Sequence, residues 1–296
     1  MTNTHPHRDS GADDAPPPTI VIEARPDTVA ARLRSLWRYR GFYSFLFKEL
    51  TTRKGRGTLL GMWGVMLRPI IPAAGLIFAF GSVRPVDTGG VPYAIFFLSG
   101  YIPWQMFQSA LRYVPRSLTW SQSLMKRTYF PRLLVPLAGF GMTFIEFLIL
   151  AVVFVAAIGM TMWRGEPFPL RLGWHTLWLV PGLIGTLLFA LSFGLVFSVV
   201  ALFFRDVIFS LRLFAQVMMF LTPVIYPVTF IPEAYRWVVY VMNPMAQLVI
   251  VCRYALIGEG DFHLGFLLLS FAMILVALAG STAFFLRAEV HLGDQM

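Results

Sequence analysis

The chain has 296 residues, of which 57% are hydrophobic and only 13% are charged, and its mean hydropathy is +0.68. Soluble domains carry about 25% charged residues, so this composition excludes a water-soluble globular protein and indicates an integral membrane protein. The single cysteine, Cys252, excludes an intramolecular disulfide and a zinc site made of several cysteines.

Residues 1–30 are predicted to form a flexible cytoplasmic tail. They are rich in Pro, Asp, Thr and Ala and include the run Pro16-Pro17-Pro18. Such a segment cannot bury enough apolar surface to order itself. It also lacks the apolar core of a cleavable signal peptide, so none is expected.

Residues 31–57 are predicted to form an amphipathic interface helix followed by a basic entrance segment. Apolar residues such as Trp37 and Phe45 recur near helical spacing, and basic residues such as Arg38 and Lys48 lie between them. This pattern is typical of a helix that lies in the plane of the lipid headgroups. Three basic residues then mark the cytoplasmic mouth of the first span: Arg53, Lys54 and Arg56.

Residues 58–296 are predicted to form a transmembrane domain of six helices. Each of six apolar segments has roughly the 20 residues that a tilted helix needs to cross a bilayer. The segments are residues 59–83, 91–111, 133–163, 177–204, 207–227 and 264–286. Most of the 24 Lys and Arg residues fall on the side of the N-terminus, so both termini are predicted to be cytoplasmic. The net charge of +9 therefore reflects topology, and nucleic acid is not an expected partner.

The segment between the fifth and sixth spans predicts short helices on the outer side. The uncharged run 213–232 is broken near its outer end by Pro223 and Pro227. A short amphipathic piece at 235–241 and the turn Asn243-Pro244 follow it. Broken helices of this kind line a cavity rather than face lipid.

Two charged residues lie deep within the apolar segments, where a charge is costly. Arg68 is in the first span and is followed by Pro69, whereas Glu146 is near the middle of the third. They would form either a structural ion pair or part of a polar pathway for substrate or protons, and the sequence leaves both alternatives open. Arg212 lies near the start of the fifth span and would reach the cytoplasmic surface.

No catalytic motif is found in the sequence. The phosphate-binding pattern G-x-x-x-x-G-K-[ST] is absent, and the five histidines are scattered without a spacing suited to a metal or a catalytic triad. The chain is therefore predicted to be neither an enzyme nor a metal-binding protein.

The loop after the second span predicts a docking site for a partner. Between residues 112 and 134 the basic pair Lys126-Arg127 is followed by Tyr129-Phe130 and then by Pro131. A short cytoplasmic helix here would enter a partner's cleft, with the aromatic rings as anchors and the basic residues as a rim. A plain surface loop with positive-inside charge is the alternative.

Six segments occur in a recognisable order: KELTTRKGRGTLLGMWGVMLRPIIP, LSGYIPWQMF, SLMKRTYFPRLLVPL, FFRDV, LTPVIYP and MNPMAQLVIVCRYALIGEG. Together they resemble the membrane subunit of ABC exporters for lipid-linked polysaccharides, namely the O-antigen, capsule and wall teichoic acid permeases. The resemblance runs from Trp37 to the C-terminus. Arg68 departs from the pattern, because many relatives have a neutral or amide residue at that position.

The resemblance implies a homodimer in the bacterial inner membrane, bound to two copies of a separate ABC ATPase that would carry ATP and magnesium. Segment 123–132 would be the coupling helix, and segments 232–241 and 246–257 would be periplasmic gate helices. The implied ATPase contacts are Lys126, Arg127, Tyr129, Phe130, Pro131, Arg205 and Asp206.

The expected function is export of an O-antigen-like glycan linked to polyprenyl pyrophosphate, powered by ATP hydrolysis on the separate subunit. Arg53, Lys54 and Arg56 would hold the phosphates at the entrance. Aromatic side chains would offer surfaces to the sugars, and the candidates are Phe78, Phe80, Tyr101, Trp104 and Tyr226. Two alternatives remain open: an exporter of a drug or a simple lipid, and a proton-coupled secondary carrier that uses Glu146.

Overall fold

The computed structural model describes residues 36–55, 61–83, 86–128, 130–171, 173–204, 206–258, 260 and 262–295. The described chain is helical, which confirms the predicted all-α class. Its helices are α1 (Arg40–Gly55), α2 (Gly61–Phe78), α3 (Tyr93–Met125), α4 (Leu134–Trp163), α5 (Leu179–Phe203), α6 (Val207–Leu221), α7 (Glu233–Met242), α8 (Pro244–Ile257) and α9 (Leu264–Gln295). Single turns of π-helix at Ala79–Val83 and of 3₁₀-helix at Trp174–Trp178 and Val228–Phe230 complete the order.

Four described segments are long and apolar enough to cross a membrane: Trp63–Val83, Leu134–Trp163, Trp174–Phe203 and Leu264–Glu289. They coincide with the first, third, fourth and sixth predicted spans. α7 and α8 form a fifth candidate that is bent by 105°, as in a broken span or a re-entrant loop. Length and composition in the described chain therefore support four or five spans, and a count of six remains a proposal.

α3 is the central helix of the bundle, packed against α4, α5, α6 and α8. It was predicted to end at residue 111 but continues to Met125, with Pro115 inside it. The reason is tertiary packing: Tyr113, Val114 and Leu118 are buried beyond the predicted end. Polar composition was misleading here, because neighbouring helices cover a segment that the sequence pattern assigns to a loop.

In the described part of segment 123–132, which leaves out Tyr129, no separate helix is found where the coupling helix was predicted. Ser123–Met125 is instead the last turn of α3, and Lys126–Thr128 forms a turn that ends it. The fifth span is also shorter than predicted, because α6 ends at Leu221 and a turn with Pro223 follows.

α1 lies against the cytoplasmic end of the bundle, as the predicted topology orients it. Leu46 and Leu50 are buried in a cluster with Leu134 of α4 and Phe285 of α9, whereas Phe45 is exposed. α1 thus has one buried and one exposed face, as the amphipathic pattern predicted. Its position in the headgroup plane stays a prediction, and residues 1–35 lie outside the described residues.

Glycine allows α3 and α4 to approach closely. A Cβ atom at Gly139 of α4 would lie 2.7 Å from the Cβ of Ser117 and 3.1 Å from the carbonyl oxygen of Tyr113, both on α3. Small residues at such crossings are a general device of membrane helices, because they allow two backbones into van der Waals contact.

Replacing Gly139 by alanine should lower the free energy of unfolding by about 1–3 kcal/mol, because the added methyl group overpacks the crossing. Reversible unfolding of the purified protein in mixed micelles would measure the change. Gly159→Ala on the same helix is the matched control, since a Cβ there meets nothing within 4 Å. Equal losses in the two variants would contradict a close crossing at Gly139.

Candidate functional site

A cavity of about 420 Å³ lies between α2, α3 and α6. We call it the arginine cavity, because four arginines and three glutamines form most of its wall. Its lining residues are Arg68, Pro72, Tyr101, Gln105, Gln108, Arg112, Arg116, Arg212, Gln216 and Met219. In a chain with so few charged residues, four arginines in one wall require a specific explanation.

Helical spacing explains how the arginine cavity forms. On α3 the four polar lining residues follow one another at intervals of three and four, so they form a stripe on one face: Gln105, Gln108, Arg112 and Arg116. α6 adds Arg212 and Gln216, one turn apart, and α2 adds Arg68. α2, α3 and α6 thus each present polar side chains to the same cavity.

Arg68 and Arg212 lie at a similar depth. Arg68 is the sixth residue of the candidate span Trp63–Val83, and Arg212 is the sixth residue of α6, Val207–Leu221. At 1.5 Å per residue, Arg212 lies roughly 8 Å from the start of α6, and Arg68, the eighth residue of α2, lies roughly 10 Å from Gly61. Both helices are predicted to start from the cytoplasmic side, so their arginines would meet at one level.

Glu146 of α4 lies behind the wall of the arginine cavity and is 0% exposed. Its Oε1 accepts a hydrogen bond from Nη1 of Arg112 at 3.3 Å, and its Oε2 accepts one from Nε2 of Gln105 at 3.1 Å. The hydroxyl of Tyr113 also donates to Oε1. A buried carboxylate is tolerated only with partners of this kind.

An ion pair between Arg68 and Glu146 was one of the two alternatives that the sequence left open, and no such pair is found among the described contacts. The ion pair found at Glu146 is with Arg112, whereas Arg68 lies on the wall of the arginine cavity with Arg212. Arg112 and Arg116 were not recognised from the sequence as site residues, because a span ending at residue 111 places both in a loop. The signal that would have found them is the spacing of the polar stripe on α3.

The five aromatic candidates do not lie together. Tyr101 lines the arginine cavity. Trp104 is 1% exposed inside the core, and its role as a channel aromatic stays a prediction. Phe78 is 66% exposed at the end of α2, whereas Phe80 and Tyr226 are half-buried against the core.

The predicted partner surface divides into buried and exposed parts. Lys126 and Arg127 are exposed in the turn after α3. Phe130 is 6% exposed, and its ring packs on that of Phe42 of α1 with centroids 4.5 Å apart. Phe130 therefore anchors the turn to α1 within this chain, and its role as a docking side chain stays a prediction.

The remaining predicted contacts are described in part. Pro131 is half-buried and Asp206 is exposed, whereas Tyr129 and Arg205 lie outside the described residues. Of the three entrance residues, Arg53 and Lys54 lie in the last turns of α1 with side chains outside the description, and Arg56 lies outside the described residues altogether.

Arg253 stabilises the non-helical turn that follows α6, at the other end of that helix from Arg212. It is buried in α8 and donates from Nη1 to the carbonyl of Pro223 and from Nη2 to that of Val224, both at 2.9 Å. Its guanidinium carbon lies 3.8 Å from the ring centroid of Phe96. Tyr93 of α3 donates to the carbonyl of Ile225 at 2.9 Å. The turn after α6 thus receives side-chain donors where helical hydrogen bonds stop.

No group of three or more His, Cys, Asp or Glu side chains is placed to hold a metal ion in the part of the chain that the structure describes. The arginine cavity instead presents cationic and amide donors. Its chemistry suits an anion rather than a metal.

Comparisons with known proteins cover most of the chain. The family model described as "ABC-2 type transporter" matches residues 41–257, which include every helix that lines the arginine cavity. The O-antigen export system permease protein RfbA of Klebsiella pneumoniae is 29% identical over 242 residues, which is 80% of this chain and 88% of the relative. Another RfbA protein of Klebsiella pneumoniae is 29% identical over 207 residues, 70% of this chain and 76% of the relative. The RfbA protein of Myxococcus xanthus is 23% identical over 218 residues, 73% of this chain and 80% of the relative.

Proposed function

Because the chain belongs to the ABC-2 type transporter family of membrane proteins, we propose that it is the transmembrane subunit of an exporter for an O-antigen-like lipid-linked polysaccharide. The observation that carries the proposal is the likeness to relatives named as O-antigen export permeases, which extends over 80% of the chain. The arginine cavity adds physical support. A lipid-linked glycan of this class has an anionic headgroup that must pass through a mostly apolar protein, and the cavity offers cationic side chains to it.

The proposed topology has six spans, with both termini in the cytoplasm. α2, α4, α5 and α9 supply the four strongly apolar spans, and α3 and α6 would supply the other two. α3 is the less apolar of these two, but neighbouring helices bury most of it, so lipid need not cover its glutamines. α7 and α8 would then be the short helices at the periplasmic side.

We propose that two copies of the chain pair in the inner membrane and bind two copies of an ABC ATPase. The sequence contains no P-loop of its own, so ATP and magnesium would be held by the partner. The exposed turn with Lys126 and Arg127 and the exposed Asp206 would contribute to the contact.

Reversing the charges of the exposed turn tests the proposed ATPase contact. Lys126→Glu with Arg127→Glu should weaken co-purification of the ATPase by about tenfold or more, which corresponds to about 1.4 kcal/mol of lost binding energy. Lys48→Glu on the exposed side of α1 is the control and should leave the complex intact. An undiminished complex in the charge-reversed variant would place the contact elsewhere.

The function itself is tested in a bacterium whose own O-antigen permease has been deleted. Producing this chain together with its ATPase should return polysaccharide to the cell surface, measured by surface labelling and by gel analysis of lipopolysaccharide. Lipid-linked glycan should accumulate inside cells that produce either protein alone. Restored resistance to a drug without any surface polysaccharide would instead favour a drug exporter and refute the proposal.

A further inference from the structure

We propose that the arginine cavity binds the diphosphate headgroup of the transported lipid, an inference that rests on the function proposed above. Four guanidinium groups share its wall, and none of its described lining residues is acidic. Glu146 lies behind the wall and is paired with Arg112. Among the described residues, no carboxylate is found paired with Arg68, Arg116 or Arg212.

Structural roles do not account for so much positive charge. Arg112 has one, because it satisfies the buried carboxylate of Glu146. On α3, however, Arg112 and Arg116 lie one turn apart, where like charges destabilise a helix. Arg68 and Arg212 add two further cations at a depth where each charge is costly. A bound anion would offset both the repulsion between the arginines and the cost of placing their charges at this depth.

The donors suit phosphate in particular. A guanidinium group is a planar fork that binds two phosphate oxygens at once, and it remains charged when partly desolvated. The side-chain amides of Gln108 and Gln216 add neutral donors beside the arginines. Two linked phosphates would meet arginines from α2, α3 and α6, whereas one phosphate would engage fewer of them.

The size and remaining wall of the arginine cavity also fit this headgroup. Its volume of about 420 Å³ lies within the 300–1,000 Å³ of typical small-molecule sites. Tyr101, Pro72 and Met219 supply apolar wall beside the donors, against which the apolar face of a first sugar would pack. The entrance residues predicted from the sequence, Arg53, Lys54 and Arg56, precede Arg68 by at least 12 residues, and Arg68 lies within a candidate span.

Binding of polyprenyl diphosphate to the transporter complex in nanodiscs tests this inference. We expect Arg212→Gln to weaken binding by about tenfold, and Arg116→Gln with Arg212→Gln to weaken it by about a hundredfold, since hydrogen bonds to charged groups are the strong ones. Arg212→Lys keeps the charge but loses the planar fork, so its loss should lie between wild type and Arg212→Gln. Arg164→Gln, in the exposed turn after α4, removes the same charge elsewhere and should bind normally.

Competing ligands distinguish the possible sources of the phosphate. Inorganic pyrophosphate should displace the labelled lipid, because it presents the same two phosphates, although it should bind more weakly. Phosphatidylglycerol at the same mole fraction should not displace it, since a single phosphodiester engages fewer arginines. Displacement by phosphatidylglycerol as effective as that by polyprenyl diphosphate would show a general anionic-lipid site and overturn the inference.

The outcomes also separate this inference from the function on which it rests. If cells with the double variant Arg116→Gln and Arg212→Gln export polysaccharide and bind the diphosphate lipid normally, the inference fails and the function stands. If the wild-type complex neither binds the lipid nor restores surface polysaccharide, the function fails. Co-purification with the ATPase and an unchanged unfolding transition would show that each variant is folded.

Discussion

Replacing Glu146 by leucine should lower the free energy of unfolding by about 3–5 kcal/mol, because removing one member of a buried ion pair leaves the other uncompensated. Glu146 accepts hydrogen bonds from Arg112 and Gln105 of α3, the helix on which most of the bundle packs. Without the carboxylate, these two donors and the hydroxyl of Tyr113 lose an acceptor in an apolar environment. The loss should be visible as an earlier unfolding transition in detergent and as reduced protein in membranes.

Three further variants test the reason for that loss. Glu146→Gln keeps an acceptor of similar shape and should cost less than the leucine variant. Arg112→Gln combined with Glu146→Gln removes both charges and should recover part of the stability that the single Glu146→Gln variant loses. Glu166→Gln, in the exposed turn beyond the end of α4, should have no measurable effect. Losses that simply add in the double variant would contradict an energetic pair between Glu146 and Arg112.

Replacing Arg253 by leucine should be about as damaging, with a loss of about 3 kcal/mol or more, because two buried carbonyls would lose charge-assisted hydrogen bonds. The carbonyls belong to Pro223 and Val224, in the turn that follows α6. The loss should be local as well as global, so hydrogen exchange in the turn after α6 should accelerate more than in α4. That comparison distinguishes a loosened turn from general unfolding.

A matched arginine at the surface serves as the control for Arg253. Arg236 of α7 donates from Nε to the carbonyl of Ile231 at 2.9 Å, but its side chain is partly exposed. Arg236→Leu should cost about 1 kcal/mol or less, since water can replace the donor. Arg253→Lys should fall between wild type and Arg253→Leu, because an ammonium group reaches fewer carbonyls than the guanidinium fork. Equal effects at the two arginines would contradict the role of burial.

The sequence predicted the helical fold and four of the apolar segments, because long uncharged runs admit few other structures. Short helices also lie where the sequence predicted them, as α7 and α8, whereas their role as periplasmic gate helices stays a proposal. It did not predict the full length of α3, since the polar residues beyond position 111 are covered by other helices. A segment that is covered by distant parts of the chain has no local sequence signature, and for the same reason the burial of Phe130 and Trp104 was not predicted.

The arginine cavity was predictable only in fragments. Arg68 and Glu146 were recognised because single charges stand out in apolar segments. The partner of Glu146 and the arginines that share a wall with Arg68 were not recognised, because contacts between helices depend on how α3 turns its faces toward α2, α4 and α6. A helical projection of α3 extended to Met125 would have placed Arg112 and Arg116 beside Gln105 and Gln108.

α3 is a single helix of 33 residues, which at 1.5 Å per residue is about 50 Å long. Its first turn is tied through Tyr93 to the stretch after α6, its middle carries Arg112 and Arg116, and its last turn leads to Lys126. A displacement of one end of α3 would therefore be transmitted along the same helix to these contacts. In the proposed complex, movement of the end of α3 at Lys126 by the ATPase would be passed on to the proposed headgroup site and to the turn after α6.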